Sequence, residues 1–453
     1  MESAMQDERI PAPSEAAVRS IGEGLIEALE DQPRSARRAL EERAMAQLAE
    51  EPATRAALFR VVDVAPSCRS AGELSRHISA LLDEVPEPPP VFRLGGKLAS
   101  QPVTRAAVGL SAAAAVRAMA RRFIAGEDVD SAARELDRLW RRGIANTVDL
   151  LGEATVTDAE ADAYAGRCLE AIEALAERSL AWAPGAREEA DRHGPIPRAN
   201  LSIKVSALTA RARPEAPWRG VEDAAPRLRA LLRRARELGA HLHVDMESLD
   251  LRETVVELVR TVLAEPEFDD GPAAGVVVQA YLRDSPEEVE GWLAWATERR
   301  RDAPFQVRLV KGAYWDHERV EAAQHGWPVP VFEDRASCDR NFEALTRRLL
   351  ASADLVRPAI ATHNLRSVAH AAAAARDAGA EDVLELQVLR GLGDDLSAAL
   401  SARGYRVRAY CPIGDLVAGM AYLVRRLLEN TSNDSFLHAS AVADDLTTLL
   451  ARP

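Results

Sequence analysis

Cysteine is scarce in this sequence. The 453 residues include four, Cys68, Cys168, Cys338 and Cys411, and none stands in a C-x-x-C pair. That spacing suggests neither a zinc module nor a disulfide framework, and it leaves reduced thiols in a cytosolic protein. Long apolar runs are missing as well. No stretch reaches the ~18 apolar residues that a spanning helix needs. The Ala-rich run from Ala106 to Ala120 comes nearest, and Arg117, Arg121 and Arg122 break and end it; it reads as a packing helix. Residues Met1 to Pro11 are acidic and polar, without the basic-then-apolar order of a secretory signal. Positive charge is in deficit. There are 57 Lys and Arg against 71 Asp and Glu, a formal net charge of −14, which argues against a general nucleic-acid binder. The usual nucleotide and hydrolase signatures are absent. Gly391-Leu392-Gly393 is followed by Asp394, Asp395 and Leu396, so no third glycine completes a dinucleotide fingerprint. No P-loop and no G-x-S-x-G occurs.

What is present is a large globular composition, 47% hydrophobic and 28% charged. The length suits two or three domains, or one large barrel with an extension. Ile21, Leu25, Ile26 and Leu29, then Leu40, Met45 and Leu48, recur at helical spacing. The run from Glu84 to Pro90 breaks that pattern. Residues 1–85 therefore read as a helical arm, and 86–140 as a linker with helices leading into the next unit.

After about residue 140, short β-rich runs alternate with helical patterns. The strand candidates are Asn146–Leu151, Asn200–Ser206, His241–Asp245, Gly275–Tyr281, Phe305–Val310, Ala359–Thr362, Leu384–Leu389 and Arg406–Tyr410. Gly239 and Gly379 sit where glycine ends a helix. Eight such units predict an α/β fold, a (β/α)₈ barrel, with functional groups at the C-terminal strand ends. Polar residues gather there: Lys204 and Ser206, Asp245 and Glu247, Gln279 and Tyr281, Arg308 and Lys311, Thr362, His363 and Asn364, Gln387, and Tyr410. Together they point to an occupied pocket. Arg308 faces one side of its strand with Val310. An inward arginine needs either a ligand anion or an internal partner, Asp245 or Glu247. His241, His243 and Asp245 share one strand face. They allow a metal site of hydrolase type, or a surface His241 beside a core His243; the fold rule favours only Asp245 as a site residue, so no metal is expected. Tyr422, Arg425, Arg426 and Glu429 lie on one helix face after the last strand. Two guanidinium groups there can converge on a carboxylate.

These residues are similar to the proline dehydrogenase family. Val307-Arg308-Leu309-Val310-Lys311-Gly312-Ala313-Tyr314-Trp315-Asp316 resembles its strand-five motif, and Tyr422-Leu423-Val424-Arg425-Arg426-Leu427-Leu428-Glu429-Asn430 its C-terminal signature. Leu150-Leu151-Gly152-Glu153-Ala154, Ile203–Leu208, Gln279-Ala280-Tyr281 and Ala361-Thr362-His363-Asn364 follow in the family's order. The resemblance spans roughly residues 120 to 437 and is nearest the dehydrogenase half of the bifunctional proline utilisation A proteins. It implies a TIM-like barrel over 141–437 with its last helix over the mouth, and a tail over 438–453. It implies FAD-dependent oxidation of L-proline to Δ1-pyrroline-5-carboxylate by hydride transfer to flavin N5, with electrons passed to a quinone.

The resemblance also implies roles for residues. Lys204, Arg308, Tyr314 and Tyr410 would be catalytic. Lys204, Arg425 and Arg426 would bind the proline carboxylate, with Asp245 orienting Lys204. Leu389, Tyr410 and Tyr422 would pack on the ring, and Ala313 and Tyr314 would line the site. Gln279, Arg308, Lys311, Gly312, Ala313, Trp315, Thr362, His363, Asn364, Gln387, Glu429 and Ser435 would contact FAD. Arg308 near N5 would stabilise charge on reduced flavin. A quinone acceptor implies peripheral contact at the inner membrane, and the family implies a pyrroline-5-carboxylate dehydrogenase partner. Three departures stand out. The chain stops at Pro453 without an aldehyde dehydrogenase domain, as a monofunctional enzyme or a piece of a longer one. No basic DNA-binding segment opens it. Cys338 and Arg335 replace the family's usual Thr and Lys, which bears on the adenosine contacts.

Overall fold

The computed structural model describes residues 10–32, 52–88, 90–152, 154–185, 189–415, 419, 422 and 449–453. Eight parallel strands close a barrel: β1 Ile144–Leu150, β2 Asn200–Ile203, β3 His241–Val244, β4 Ala273–Gln279, β5 Phe305–Val310, β6 Arg357–Ala361, β7 Glu385–Leu389 and β8 Val407–Ile413. Each strand pairs with its sequence neighbours, and β1 closes on β8 from Ile144↔Val407 to Leu150↔Ile413. All eight expected strands are present. Their ends differ. β2 stops at Ile203 because a 3₁₀ turn over Val205–Ala207 bends the chain. β6 stops before Thr362, and β8 runs three residues past Tyr410. Tyr410 is therefore inside the barrel wall and not at its rim.

The helices before the barrel are α1 Glu15–Glu30, α2 Pro52–Val64, α3 Ala71–Asp83, α4 Pro90–Ser100, α5 Arg105–Phe123 and α6 Val129–Arg141. Those between strands are α7 Asp158–Ser179, α8 Pro217–Leu238, α9 Leu249–Leu263, α10 Ser285–Arg299, α11 Trp315–His325, α12 Arg335–Leu350, α13 Leu365–Asp377 and α14 Asp394–Ala402. Local chemistry sets their limits. Thr157 and Glu160 form a capping box at α7, as Asp128 and Ser131 do at α6, each satisfying backbone N–H groups that the first turn leaves open. Gly239 ends α8 at φ 61°, a left-handed turn that costs a glycine nothing. The proline run after Glu84 leads into α4, which begins at Pro90.

The apolar core lies outside the barrel wall. Leu201, Leu242, Val276, Val307, Leu309 and Val407 are fully buried between sheet and helices. Each contributes about 1.5–3 kcal/mol relative to exposure. The arm divides. α2 to α5 build their own core from Val61, Leu74, Ile78, Leu81, Leu82 and Ala99. α1 instead lies on the barrel, with Val18 against Ala369 and Ala373 of α13 and its Glu15 carboxylate bonded to Arg366. α5 packs Val116, Ala120 and Phe123 against Leu151 and Leu392, the packing role expected of the Ala-rich run. No helix among the described residues is long and apolar enough to cross a membrane. The helix expected over the barrel mouth falls in residues 420–437, which lie outside the described residues except for Tyr422.

Candidate active site

The register brings one residue of every second position into the lumen. Most eight-stranded barrels fill that space with branched aliphatics. This one fills it with polar side chains in two tiers. In the lower tier, Arg408 of β8 donates from Nε to both Glu385 oxygens at 3.0 Å and from Nη1 to the Asn146 carbonyl at 2.7 Å. Gln387 donates to Glu385 at 2.6 Å. Burial works against the Glu385 charge, but Arg408 holds its carboxyl down at about 2. His241 and His243 stand beside this tier, Nε2 to Nδ1 at 3.2 Å. Burial, with Arg408 and Arg308 nearby, drives both well below the ordinary imidazole range, so both are neutral. His241 is 5% exposed, which corrects its expected surface position: the hairpin at Ala190–Asp191 and Gly194–Pro195 plugs this end of the barrel. There Asp191 grips Arg357 at 2.8 Å and Arg406 at 3.4 Å. Among the described residues no group of three or more His, Cys, Asp or Glu side chains is placed to hold a metal ion.

The upper tier lies toward the C-terminal strand ends. Arg308 of β5 donates from Nη1 to Asp245 at 2.8 Å and to Ser202 at 3.2 Å. Its side chain is 3% exposed, and its Nε and Nη2 are buried without hydrogen-bond partners. Tyr410 donates its hydroxyl to the other Asp245 oxygen at 2.6 Å, and its ring lies 5.5 Å from the Arg308 guanidinium. Burial and the carboxylates of Asp149 and Asp245 push the Tyr410 phenol well above its ordinary value, so it is a neutral donor. Glu247 accepts from the Ser206 hydroxyl at 2.6 Å, and Gln279 donates to the Glu247 carbonyl at 3.0 Å. The Gln279 Oε1 is buried without a partner.

Lys204 was expected to be oriented by Asp245. Its ammonium hydrogen-bonds Asp149 of β1 and also pairs with Asp245 at 3.7 Å. The pairing follows from register, since Asp149 faces Ser202 across β1 and β2, one step below Lys204. Burial disfavours the lysine charge, but Asp149 and Asp245 outweigh it and keep the ammonium protonated. The sequence reading missed Asp149. A signal existed: a carboxylate in the wholly buried strand Ile144–Leu150 requires a cation somewhere in the fold.

Other expected residues divide into groups. Lys311 turns outward to Asp339 of α12. Gly312 has φ 129°, and a Cβ there would lie 2.4 Å from the Tyr281 ring, so the loop after β5 requires glycine. Ala313 is exposed. Tyr314 and Trp315 pack around Tyr281, Leu282 and Val331, with Trp315 donating to the Phe332 carbonyl at 2.8 Å. Thr362 accepts from the Asn364 N–H at 3.1 Å, and Asn364 caps α13 by accepting from Ser367 at 2.9 Å. His363 Nε2 accepts from the Leu389 N–H at 2.8 Å. Gln387 sits in the lower tier, beneath its expected strand-end place. Leu389 and Tyr422 share one apolar cluster with Leu151 and Leu392. Glu153, Arg425, Arg426, Glu429 and Ser435 lie outside the described residues.

Comparisons with known proteins identify relatives of this chain. The family model described as Proline dehydrogenase matches residues 132–439, and the one described as Proline utilization A N-terminal domain matches residues 15–123. The Bifunctional protein PutA of Escherichia coli is 32% identical over 356 residues, covering 77% of this chain and 26% of that protein. Proline dehydrogenase 1 of Bacillus subtilis is 29% identical over 319 residues, 70% of this chain and 89% of that protein. The crystal structure of proline utilization A from Bdellovibrio bacteriovorus, inactivated by N-propargylglycine, superposes with a TM-score of 0.87 at 34% identity. It covers 97% of this chain and 44% of that one. The chain thus spans about a quarter of its bifunctional curated relatives.

Proposed function

The chain belongs to the proline dehydrogenase family, and we propose that it oxidises L-proline to Δ1-pyrroline-5-carboxylate with bound FAD and passes the electrons to a quinone. The observation that carries this reading is Arg308. Its Nε and Nη2 are donors buried without partners, and the Gln279 Oε1 is an acceptor in the same condition. Unmet donors and acceptors are costly inside a protein. A fixed pair of cationic donors and one amide acceptor suit the edge of a flavin ring, with its carbonyl oxygens and ring N–H. The chain's residues therefore fit the group. By resemblance, Gln279, Arg308, Lys311, Gly312, Ala313, Trp315, Thr362, His363, Asn364 and Gln387 would hold it, with Glu429 and Ser435 outside the described residues.

The protein's own part is binding and orientation. FAD, when bound, would supply the acceptor for the hydride that leaves the proline ring carbon next to nitrogen. Lys204 offers a fixed ammonium to the substrate carboxylate, with Arg425 and Arg426 as its partners by resemblance. Tyr410 presents a neutral phenol whose hydroxyl is already engaged, so its ring serves as a rigid wall with Leu389 and Tyr422. Asp245 ties Arg308 and Tyr410 in one geometry. No side chain is needed as a nucleophile. We assign residues 141–437 to this barrel, 1–85 to the arm, 86–140 to the segment between them and 438–453 to a tail. By resemblance we assign the chain to the cytoplasm, and a quinone acceptor would bring it into peripheral contact with the inner membrane. A pyrroline-5-carboxylate dehydrogenase would consume the product.

The absorbance spectrum of the purified chain tests the reading. Flavin bands that bleach with L-proline without oxygen, and return with a soluble quinone, are expected. A colourless protein that cannot be reconstituted with FAD would overturn it.

A further inference from the structure

We infer that Asp149 is a positioning residue for the proposed oxidation, acting through Lys204: it anchors the ammonium that meets the substrate carboxylate. The inference rests on the proline reading above and adds a residue that the strand-end motifs do not contain.

Three observations carry it. Asp149 is fully buried, and Lys204 is the cation bonded to it. Asp245 is already committed, one oxygen to Arg308 and the other to Tyr410, and stands 3.7 Å from the ammonium. Asp149 is therefore the carboxylate free to fix Lys204. The lysine backbone is held as well, because its N–H donates to the Tyr164 hydroxyl at 3.2 Å. A long, flexible ammonium is thus fixed at its base by α7 and at its tip by β1. An anchored cation loses little freedom when a carboxylate arrives, which is the gain of a prearranged site.

The charged and titratable groups around Lys204 come from every side of the tier. Asp149 faces it from β1, Asp245 and Glu247 from the end of β3, Arg308 from β5, Tyr410 from β8 and Tyr164 from α7. Among the described residues, Asp149 and Asp245 are the anions nearest the ammonium. Neutralising Asp149 therefore removes the closest of the three carboxylates, Asp149, Asp245 and Glu247, that keep a buried lysine protonated.

The experiment is steady-state kinetics of the full FAD-loaded chain and its Asp149→Asn variant on L-proline and prolinamide from pH 6 to 10. A single hydrogen bond to a charged group corresponds to a kcat/KM for L-proline lower by about 10- to 100-fold, carried by KM. Prolinamide has no carboxylate and should lose far less. The alkaline rise in KM should move to lower pH, and Asp149→Glu should restore part of it. An unchanged KM and alkaline limb would overturn the inference. So would an equal loss on both substrates or a loss of FAD, either of which marks a purely structural residue. A wild-type chain that does not oxidise L-proline would overturn the functional reading instead.

A second comparison holds if Asp149→Asn does not fold. Lys204→Met strands Asp149 as an unpaired buried anion and should lower Tm. Adding Asp149→Asn should raise Tm again and leave kcat/KM for proline no lower than in Lys204→Met. A double variant less stable than the single one would overturn the pairing.

Discussion

Arg308→Met is the perturbation with the most to say about this barrel. The substitution keeps most of the side-chain volume and removes five donors. One partner, Asp245, then loses its 2.8 Å bond in a site where the arginine side chain is 3% exposed. Breaking a buried pair from one side costs about 3–5 kcal/mol. Two features reduce that figure. Lys204 at 3.7 Å and the Tyr410 hydroxyl at 2.6 Å still compensate Asp245, and two of the arginine's three nitrogens have no partner to lose. The protein without flavin should therefore be destabilised by about 2–3 kcal/mol. A barrel of roughly 300 residues has an unfolding entropy of roughly 0.6 kcal/mol/K, so Tm should fall by about 3–5 °C. The flavin should feel the change in the opposite proportion. If Arg308 Nε and Nη2 are the donors it meets, losing even one charged hydrogen bond raises the FAD Kd by about 10- to 140-fold. Thermal unfolding of the FAD-free protein and quenching of flavin fluorescence during titration measure the two effects separately. A variant with wild-type Tm and wild-type FAD affinity would refute both the pair and the donor assignment.

Other perturbations reach the same framework elsewhere. Glu288 is a carboxyl in α10 whose burial raises it to about 7, with Arg252 at 3.8 Å too far to offset this; its proton is favoured in the folded state, so its penalty on stability grows as pH rises from about 4.5 through 7. Glu288→Gln should accordingly stabilise the protein by about 2–3 kcal/mol at pH 8 and change little below pH 4.5, and urea unfolding at the two pH values that showed no difference would discard this account. Arg408→Met strands Glu385 in the lower tier and should cost about 3–5 kcal/mol; Arg408→Met with Glu385→Gln should recover much of it, and additive losses in the double variant would contradict the pairing. Gly312→Ala forces a Cβ toward the Tyr281 ring at positive φ and should cost about 1–3 kcal/mol while weakening FAD binding; unaltered Tm and flavin content would show that the loop after β5 yields freely.

The sequence was legible wherever a property is local. Period-two runs such as Phe305–Val310 and helical runs such as Ala224–Leu238 carry their element type within themselves, and Gly239 and Gly379 mark helix ends by their own backbone freedom. Lys204, Asp245, Arg308 and Tyr410 were recognisable because the fold places function toward the C-terminal ends of its strands, and the structure brings all four into one tier, with Tyr410 inside the wall. Other positions read differently in three dimensions. His241 lies under a plug formed by residues 190–195, which no periodicity announces. Gln387 is drawn down to Glu385, and Lys311 outward to Asp339.

What the chain's own pattern determined is the barrel: eight buried runs spaced by amphipathic helices have few other ways to cover both faces of a parallel sheet. What only the tertiary structure decided is which charges meet. Asp149 and Lys204 are separated by 55 residues, Asp245 and Arg308 by 63, and Asp245 and Tyr410 by 165. No local propensity spans such distances. The pairings arise when β1 closes on β8 in a single register, because a one-residue slip would turn each of these side chains out of the lumen and into the apolar shell, where a lone charge cannot remain.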